Sequence, residues 1–236
     1  MRAITTVACL TLTAPALAEP VTGRVVDAAG RPVAGAEVAT FWSFTPDGAA
    51  AYNSATTGDT GAFNLDVSFY NRPTAIMALS ADRATGGLIV VDPADAAAQQ
   101  TITLGPLVEV AGDFYCPEFE AKPTWTNVYM SVMPGRMRIA SSMSEEAEFT
   151  FSLPPGEYEF WGYGRDVQNL RKTVTLSADE PAIDMGTVDL EATIIARHYG
   201  KAPPAINVTE ARGADADVKL ADYRNQWLLV EFWGYW

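Results

Sequence analysis

Residues 148–163 have the sequence EFTFSLPPGEYEFWGY, in which two alternating runs flank a pair of prolines. Phenylalanines alternate with polar residues before the prolines, and Tyr158 and Phe160 continue the alternation after them. A period of two places every second side chain on the same face of a β-strand. Pro154-Pro155-Gly156 predicts a tight turn, because proline fixes φ and glycine leaves it free. The pattern therefore predicts two strands, each with one buried face.

Short runs of the same kind fill the chain from Val21 to about Thr193, and Gly, Pro, Asp or Asn residues separate them. The predicted strands of a first set are Val21–Asp27, Ala36–Trp42, Ala62–Val67, Thr74–Ser80, Gly87–Val91 and Thr101–Leu104. Those of a second set are Val108–Tyr115, Val128–Val132, Arg136–Ser141, Glu148–Leu153, Glu157–Tyr163 and Thr173–Leu176, with Val188–Ala192 as a closing edge. One short helix is predicted at Pro93–Gln100. Strands at this spacing are typical of antiparallel sandwiches, and the two sets show no internal sequence repeat.

The composition is that of an acidic globular protein. Of 236 residues, 48% are hydrophobic and 19% are charged, and the formal net charge is −13. A surface of this charge repels the phosphates of nucleic acids and of anionic lipids, so we expect neither as a partner.

The N-terminus has the layout of a secretory signal peptide. Arg2 supplies a positive charge, residues 3–16 are uncharged, and Ala16-Leu17-Ala18 is a small-x-small cleavage site. A buried N-terminal helix is the alternative. We expect export to the periplasm or the extracellular space, and no stable membrane insertion once the signal is removed.

The first strand set resembles the carboxypeptidase regulatory-like domain, a seven-stranded, prealbumin-like sandwich. The resemblance rests on residues 23–27, 30–38 and 57–63, which include the turns around Gly30-Arg31-Pro32 and Gly61-Ala62-Phe63. It implies a fold and no chemistry, because such domains are usually accessory modules. The zinc peptidase associated with the family needs two histidines and a carboxylate, and this chain has one histidine.

The last residues resemble the start of thioredoxin-like domains of the TlpA and peroxiredoxin-related kind. The resemblance rests on residues 200–206, on Val218–Arg224 and on Trp227–Trp236, whose apolar run predicts a buried strand. In that family a Cys-x-x-Cys pair comes next, and no cysteine follows Cys116 here. The resemblance implies a thiol or disulfide partner for the missing redox domain. An uncovered apolar run would be exposed, and an extra strand of the second sandwich is the alternative.

Few other residues suggest chemistry. His198 has no serine or cysteine partner, so a structural role is the simpler interpretation. Trp42, Phe44 and Tyr52 are candidates for stacking on sugars, and core packing is the favoured interpretation. Asp59 and Asp66 are too few for a predicted cation site. Cys116, the only cysteine after the predicted signal, is interpreted as a buried small side chain, with a redox role as the weaker alternative.

The sequence therefore predicts a mainly β chain of two consecutive antiparallel β-sandwich modules followed by an incomplete thioredoxin-like α/β segment. The predicted divisions are 1–18 for the signal, 19–106 and 107–196 for the sandwiches, and 197–236 for the last segment. No catalytic, cofactor-binding or metal-binding residue is predicted, and no cofactor. The function predicted first is that of an exported accessory or binding region of a thiol–disulfide oxidoreductase, itself lacking the catalytic cysteines and inactive as an enzyme. The alternative is a non-enzymatic extracellular binding or adhesion module.

Overall fold

The computed structural model describes residues 18–46, 48–202, 213, 218–227, 229 and 231. The chain divides into two compact units, one ending at Thr193 and one beginning at Ile194. The strands, all in the first unit, are β1 (Glu19–Val26), β2 (Glu37–Ala39), β3 (Trp42–Thr45), β4 (Gly48–Ala51), β5 (Ser54–Thr56), β6 (Ala62–Val67), β7 (Thr74–Leu79), β8 (Thr85–Val91), β9 (Gln100–Thr103), β10 (Gly105–Pro106), β11 (Val108–Tyr115), β12 (Thr126–Val132), β13 (Met137–Ser144), β14 (Glu148–Leu153), β15 (Gly156–Gly164), β16 (Val167–Leu176) and β17 (Ala182–Asp189). Short 3₁₀ helices lie at Pro93–Asp95, Pro117–Phe119, Ala196–His198 and Leu220–Tyr223.

The first sandwich is built from two sheets, with strand orders β6-β1-β9 and β10-β8-β7-β2-β5. Buried residues at alternate positions of β1 and β6, such as Val21, Val25 and Leu65, contribute to the core. The other sheet contributes Val38, Ile76 and Ala78 to the same core. The predicted mainly β sandwich is confirmed here, and Ala62–Val67 has the bounds that alternation predicts.

The second sandwich repeats this topology. Its sheets have the orders β14-β11-β17 and β16-β15-β12-β13, and the second of these continues into β3 and β4. Strand β1 pairs antiparallel with β6 and parallel with β9, just as β11 pairs antiparallel with β14 and parallel with β17. The parallel pairs β1–β9, β11–β17 and β13–β3 correct the prediction of purely antiparallel sheets. The structure thus contains a repeat that is not recognisable in the sequence.

The predicted turn at Pro154-Pro155 connects two different sheets. Strand β14 pairs with β11, whereas β15 pairs with β12 and β16, so the two alternating runs face each other across the core. The Phe149 and Phe160 rings lie 5.1 Å apart there. The Tyr158 hydroxyl donates to the Pro154 carbonyl at 2.8 Å, and burial raises the pKa of this hydroxyl. The predicted buried faces are confirmed.

The two modules share a continuous apolar interface. The β3–β4 hairpin lies in the sequence of the first module, yet β3 pairs with β13 of the second. Strand β7 is buried on both faces: Ile76 and Ala78 pack in the first core, while Met77 and Leu79 pack in the second. The boundary predicted between residues 106 and 107 is therefore crossed by one hairpin of a shared sheet.

Two other sequence predictions need correction. The predicted helix at Pro93–Gln100 is only the 3₁₀ helix Pro93–Asp95, which the Asp92 side chain caps by accepting from the Ala94 N–H. The predicted strand Ala36–Trp42 ends at Ala39, because Trp42 already belongs to β3 in another sheet. Within the described part of the chain, no helix has the length and apolar character needed to cross a membrane.

The second unit does not support the predicted thioredoxin-like α/β segment. Its described residues from 197 onwards form short 3₁₀ helices and irregular backbone. Leu229 and Glu231, from the predicted buried strand, lie outside any strand, since no described neighbour pairs with them. Trp227 and Leu229 are almost completely exposed, as expected for an uncovered apolar run. The predicted short strand at 206–208 and the predicted signal peptide up to residue 17 lie outside the described residues.

Candidate functional site

An open cleft of about 770 Å³ lies where the two sandwich modules meet. The first module contributes the segment between β2 and β3, one residue between β4 and β5, the loop before β7, the start of β7 and one residue of β8. The second contributes the loop between β12 and β13 and the start of β13. The lining residues are Thr40, Phe41, Asn53, Ser68, Tyr70, Arg72, Pro73, Thr74, Ala75, Val90, Pro134, Gly135, Arg136, Met137 and Arg138. We call this the arginine cleft, and a junction between modules is a common place for a ligand site.

Three arginines line this cleft in a chain whose net charge is −13. Arg136 pairs with Glu159, with 3.0 Å between Nε and Oε2. Neither Arg72 nor Arg138 forms an ion pair with any carboxylate of the described residues. The cleft therefore presents guanidinium groups whose charge is not neutralised within the described structure.

The outer face of the second module's larger sheet continues from the cleft through Arg138. Tyr129 of β12 lies directly opposite Trp161 of β15, with ring centroids 5.5 Å apart, and Tyr163 follows at 5.3 Å from Trp161. The Arg138 guanidinium carbon lies 4.2 Å from the Tyr129 ring centroid, and that of Arg171 lies 4.2 Å from the Trp161 ring centroid. These five residues form what we call the aromatic–arginine face. Cation–π contacts of this kind hold the guanidinium groups in place.

Glu159 is the carboxylate of this face. It is buried, and its carboxylate forms ion pairs with both Arg136 and Arg171. The distance between Nη1 of Arg171 and Oε1 of Glu159 is 3.2 Å, and the two arginines together compensate the negative charge. Burial of the Tyr163 hydroxyl and its hydrogen bond to Tyr129, at 3.3 Å, raise the pKa of Tyr163 to about 12. Tyr163 is therefore a neutral hydrogen-bonding group at physiological pH.

Two buried polar atoms of the same sheet face have no hydrogen-bond partner within the described structure. They are Oδ1 of Asn127 and Nε1 of Trp161. Leaving such an atom unsatisfied costs about 1–3 kcal/mol. Each of these atoms is therefore open to a hydrogen bond with a ligand or with water.

The three aromatic residues that the sequence suggested for sugar stacking differ in how far they are exposed. Trp42 is completely buried, and Phe44 packs edge-on against Phe151 at 5.5 Å, so the core interpretation is confirmed for both. Tyr52 is 71% exposed, with its ring 5.0 Å from that of Phe41 in the cleft wall. Tyr52 alone of the three is available to a ligand.

The other residues that the sequence singled out are not among those that line the cleft. His198 is held locally, with 2.7 Å between Nδ1 and the Ile194 carbonyl oxygen. Asp59 and Asp66 are exposed, and no group of three or more metal-ligating side chains occurs among the described residues.

Cys116 is buried, with 1% of its surface exposed. Burial raises the pKa of its thiol, and the Glu118 carboxylate, which accepts a hydrogen bond from Sγ at 3.6 Å, adds to the rise. The thiolate that a redox role requires is therefore disfavoured, which argues against that alternative.

We expect Cys116 to react slowly with a thiol reagent in the folded protein. At pH 8, labelling by dithionitrobenzoate should be at least ~100-fold slower than in urea, because the thiol is both covered and protonated. The matched control is a variant with cysteine introduced at exposed Thr22, whose second thiol should label at once. Equal rates for Cys116 and the introduced cysteine would contradict the buried assignment.

Sequence reasoning missed the arginine cleft and the aromatic–arginine face. One signal was present: Trp161 and Tyr163 occupy alternate positions opposite the core-facing Tyr158 and Phe160. Large aromatic residues on a solvent-side face are uncommon enough to mark a candidate binding surface. The arginines gave no comparable signal, because loops far apart in the sequence bring them together.

No protein-family model matches the chain, and no curated protein matches it. Among solved structures it is similar to the Bacillus anthracis TIE protein, with 11% identity, a TM-score of 0.33 and coverage of 75% of this chain and 34% of that one. It is also similar to a streptococcal ancillary pilin (10% identity, TM-score 0.34, covering 75% and 63%) and to the shaft pilin spaA from Lactobacillus rhamnosus GG (7%, 0.31, 75% and 98%). The chain thus spans about a third of the length of the TIE protein and under two thirds of the length of the ancillary pilin. At TM-scores this low, the similarity says nothing about the function of this chain.

Proposed function

We propose that the chain is an exported, non-enzymatic binding module of two joined β-sandwiches, with the arginine cleft as its ligand site. One observation carries this proposal: a cleft of about 770 Å³ at the module junction collects three arginines in a strongly acidic chain. The shared sheet and the doubly buried strand β7 hold the two walls of the cleft in one compact unit. Because the walls of such a site are already ordered, little conformational entropy is lost when a ligand binds.

The test is binding to arrayed extracellular polysaccharides and proteins, using the full-length protein and a variant with an obstructed cleft. Val90 is 47% exposed and lines the cleft, so Val90→Trp fills it without altering the core. The matched control is Thr22→Trp, on the exposed side of β1. We expect wild type and Thr22→Trp to bind at least one polymer that Val90→Trp does not, and to release it with unchanged mass. Binding by none of the three, equal binding by all three, or shortening of the polymer would each refute the proposal.

A second candidate is that residues 197–236 open a thioredoxin-like domain. It rests on the sequence resemblance of residues 200–236, because the 3₁₀ helix Leu220–Tyr223 is a single short turn that occurs in many folds. Residues 197–236 contain no cysteine, so any thiol chemistry would need residues downstream. The gene sequence after the Trp236 codon is the test. A continuing frame with Cys-x-x-Cys supports this candidate, and an in-frame stop codon refutes it.

A further inference from the structure

The arginine cleft can bind an anion through a small number of guanidinium groups. Arg72 and Arg138 pair with no carboxylate of the described chain, while Arg136 is partly engaged by Glu159. A guanidinium group matches a carboxylate with two parallel N–H donors, which makes such pairs strong and directional. The whole chain has a net charge of −13, so the arginines make the cleft a local site for negative charge on an acidic protein. The cleft therefore fits a ligand that carries carboxylates.

Arg138 is held in position before any ligand arrives. Its guanidinium carbon lies 4.2 Å from the Tyr129 ring centroid and 5.5 Å from that of Trp161. Stacking restrains the plane of the group and leaves its N–H edge free for hydrogen bonds. A restrained arginine loses less side-chain entropy on binding than a mobile one.

Exposed aromatic rings stand at the same cleft. Tyr70 lines it and is 69% exposed, and Tyr52, 71% exposed, lies against Phe41 in the wall. A sugar ring has an apolar face of C–H groups, which gains hydrophobic contact when it lies on an aromatic ring. The Asn53 side chain, which donates to the Asp66 carbonyl, and the Ser68 side chain add polar groups suited to hydroxyls.

We infer that the arginine cleft binds an acidic glycan, a polysaccharide whose sugar rings carry carboxylates. Arg72 and Arg138 receive the carboxylates, and Tyr52 and Tyr70 receive the sugar rings. This inference rests on the proposed function and names the ligand class of the same site.

The experiment measures binding of the full-length protein to three acidic oligosaccharides of different backbone: oligogalacturonate, hyaluronan and alginate fragments. We expect at least one to bind, with an affinity that falls as salt is added, because exposed charges are screened. Arg72→Gln and Arg138→Gln should each weaken that binding about 10- to 100-fold, which is the effect of losing one charge-assisted contact. Arg24→Gln, which removes the same charge from the exposed side of β1, should leave it unchanged.

Two further probes separate the sources of binding. The methyl ester of the bound oligosaccharide keeps the rings and loses the charge, and polyglutamate keeps the charge and loses the rings. We expect both to bind at least ~10-fold more weakly than the acidic glycan, because each loses one of the two classes of contact. Equal binding of the ester would mean a neutral glycan site, and equal binding of polyglutamate an acidic peptide site; either refutes the inference.

Failure of the inference is distinguishable from failure of the proposed function. If none of the three acidic glycans binds while Val90→Trp abolishes binding to another arrayed polymer, the glycan inference is refuted and the binding module remains. If Arg24→Gln weakens binding as much as Arg138→Gln does, the effect is one of overall charge and the assignment to the cleft is refuted.

Discussion

We expect Trp42→Ala to lower the free energy of unfolding by about 3–5 kcal/mol, the usual loss for truncating a fully buried large aromatic residue. Trp42 is completely buried and belongs to the core of the second module, although its sequence lies in the first. It begins strand β3 and lies in register with Ala140 of β13, so it packs where the two modules join. The substitution therefore opens a cavity at the junction of the modules, and neither sandwich alone can rearrange to fill it.

Urea unfolding followed by circular dichroism measures this effect. The urea concentration at the midpoint of unfolding should fall. The slope of the unfolding free energy against urea concentration should stay the same, since the variant changes stability and not the surface exposed on unfolding. Trp42→Phe should lose less than half as much, because it keeps a ring and removes an indole N–H that has no partner among the described residues. Trp227→Ala, at a fully exposed tryptophan, is the matched control and should change stability by at most ~0.5 kcal/mol. A loss below about 1 kcal/mol for Trp42→Ala would show that the junction does not depend on this side chain.

The second large effect is expected at Gly61. Its φ is +71°, in the left-handed region, where a Cβ costs about 1–2 kcal/mol. A Cβ at this position would also lie 2.5 Å from the backbone oxygen of Val25, an atom that cannot move without disturbing β1. The Gly61 carbonyl accepts from the Val25 N–H at 2.8 Å, so the two segments are bound at the point of the clash. We expect Gly61→Ala to lose about 3 kcal/mol or more.

Gly30 is the matched control for this prediction. Its φ is +79°, nearly that of Gly61, but a Cβ there would meet no atom within 4 Å. Gly30→Ala should therefore lose only the conformational part, about 1–2 kcal/mol. Thermal or urea unfolding of the two variants separates backbone conformation from steric contact. Equal losses would mean that the loop around Gly61 shifts freely and that the contact with Val25 has no energetic weight.

The sequence determined the local features of the fold, because they depend on residues near one another. Alternation located β6, β11 and β14 at their observed bounds, and it gave the buried face of β15. The turns around Gly30 and Gly61 place these glycines at positive φ, a conformation that glycine adopts without strain. These features follow from side-chain period and from backbone freedom, and both operate over a few residues.

Only the tertiary structure decided which strands meet. The Pro154-Pro155 turn connects two sheets, and the β3–β4 hairpin leaves its own module to pair with β13. The arginine cleft exists because loops at residues 68–74 and 133–138 come together across the junction of the modules. The alternation of apolar and polar residues indicates which face of a strand is buried. It does not indicate which other strand or sheet covers that face, because any apolar surface of suitable shape can do so.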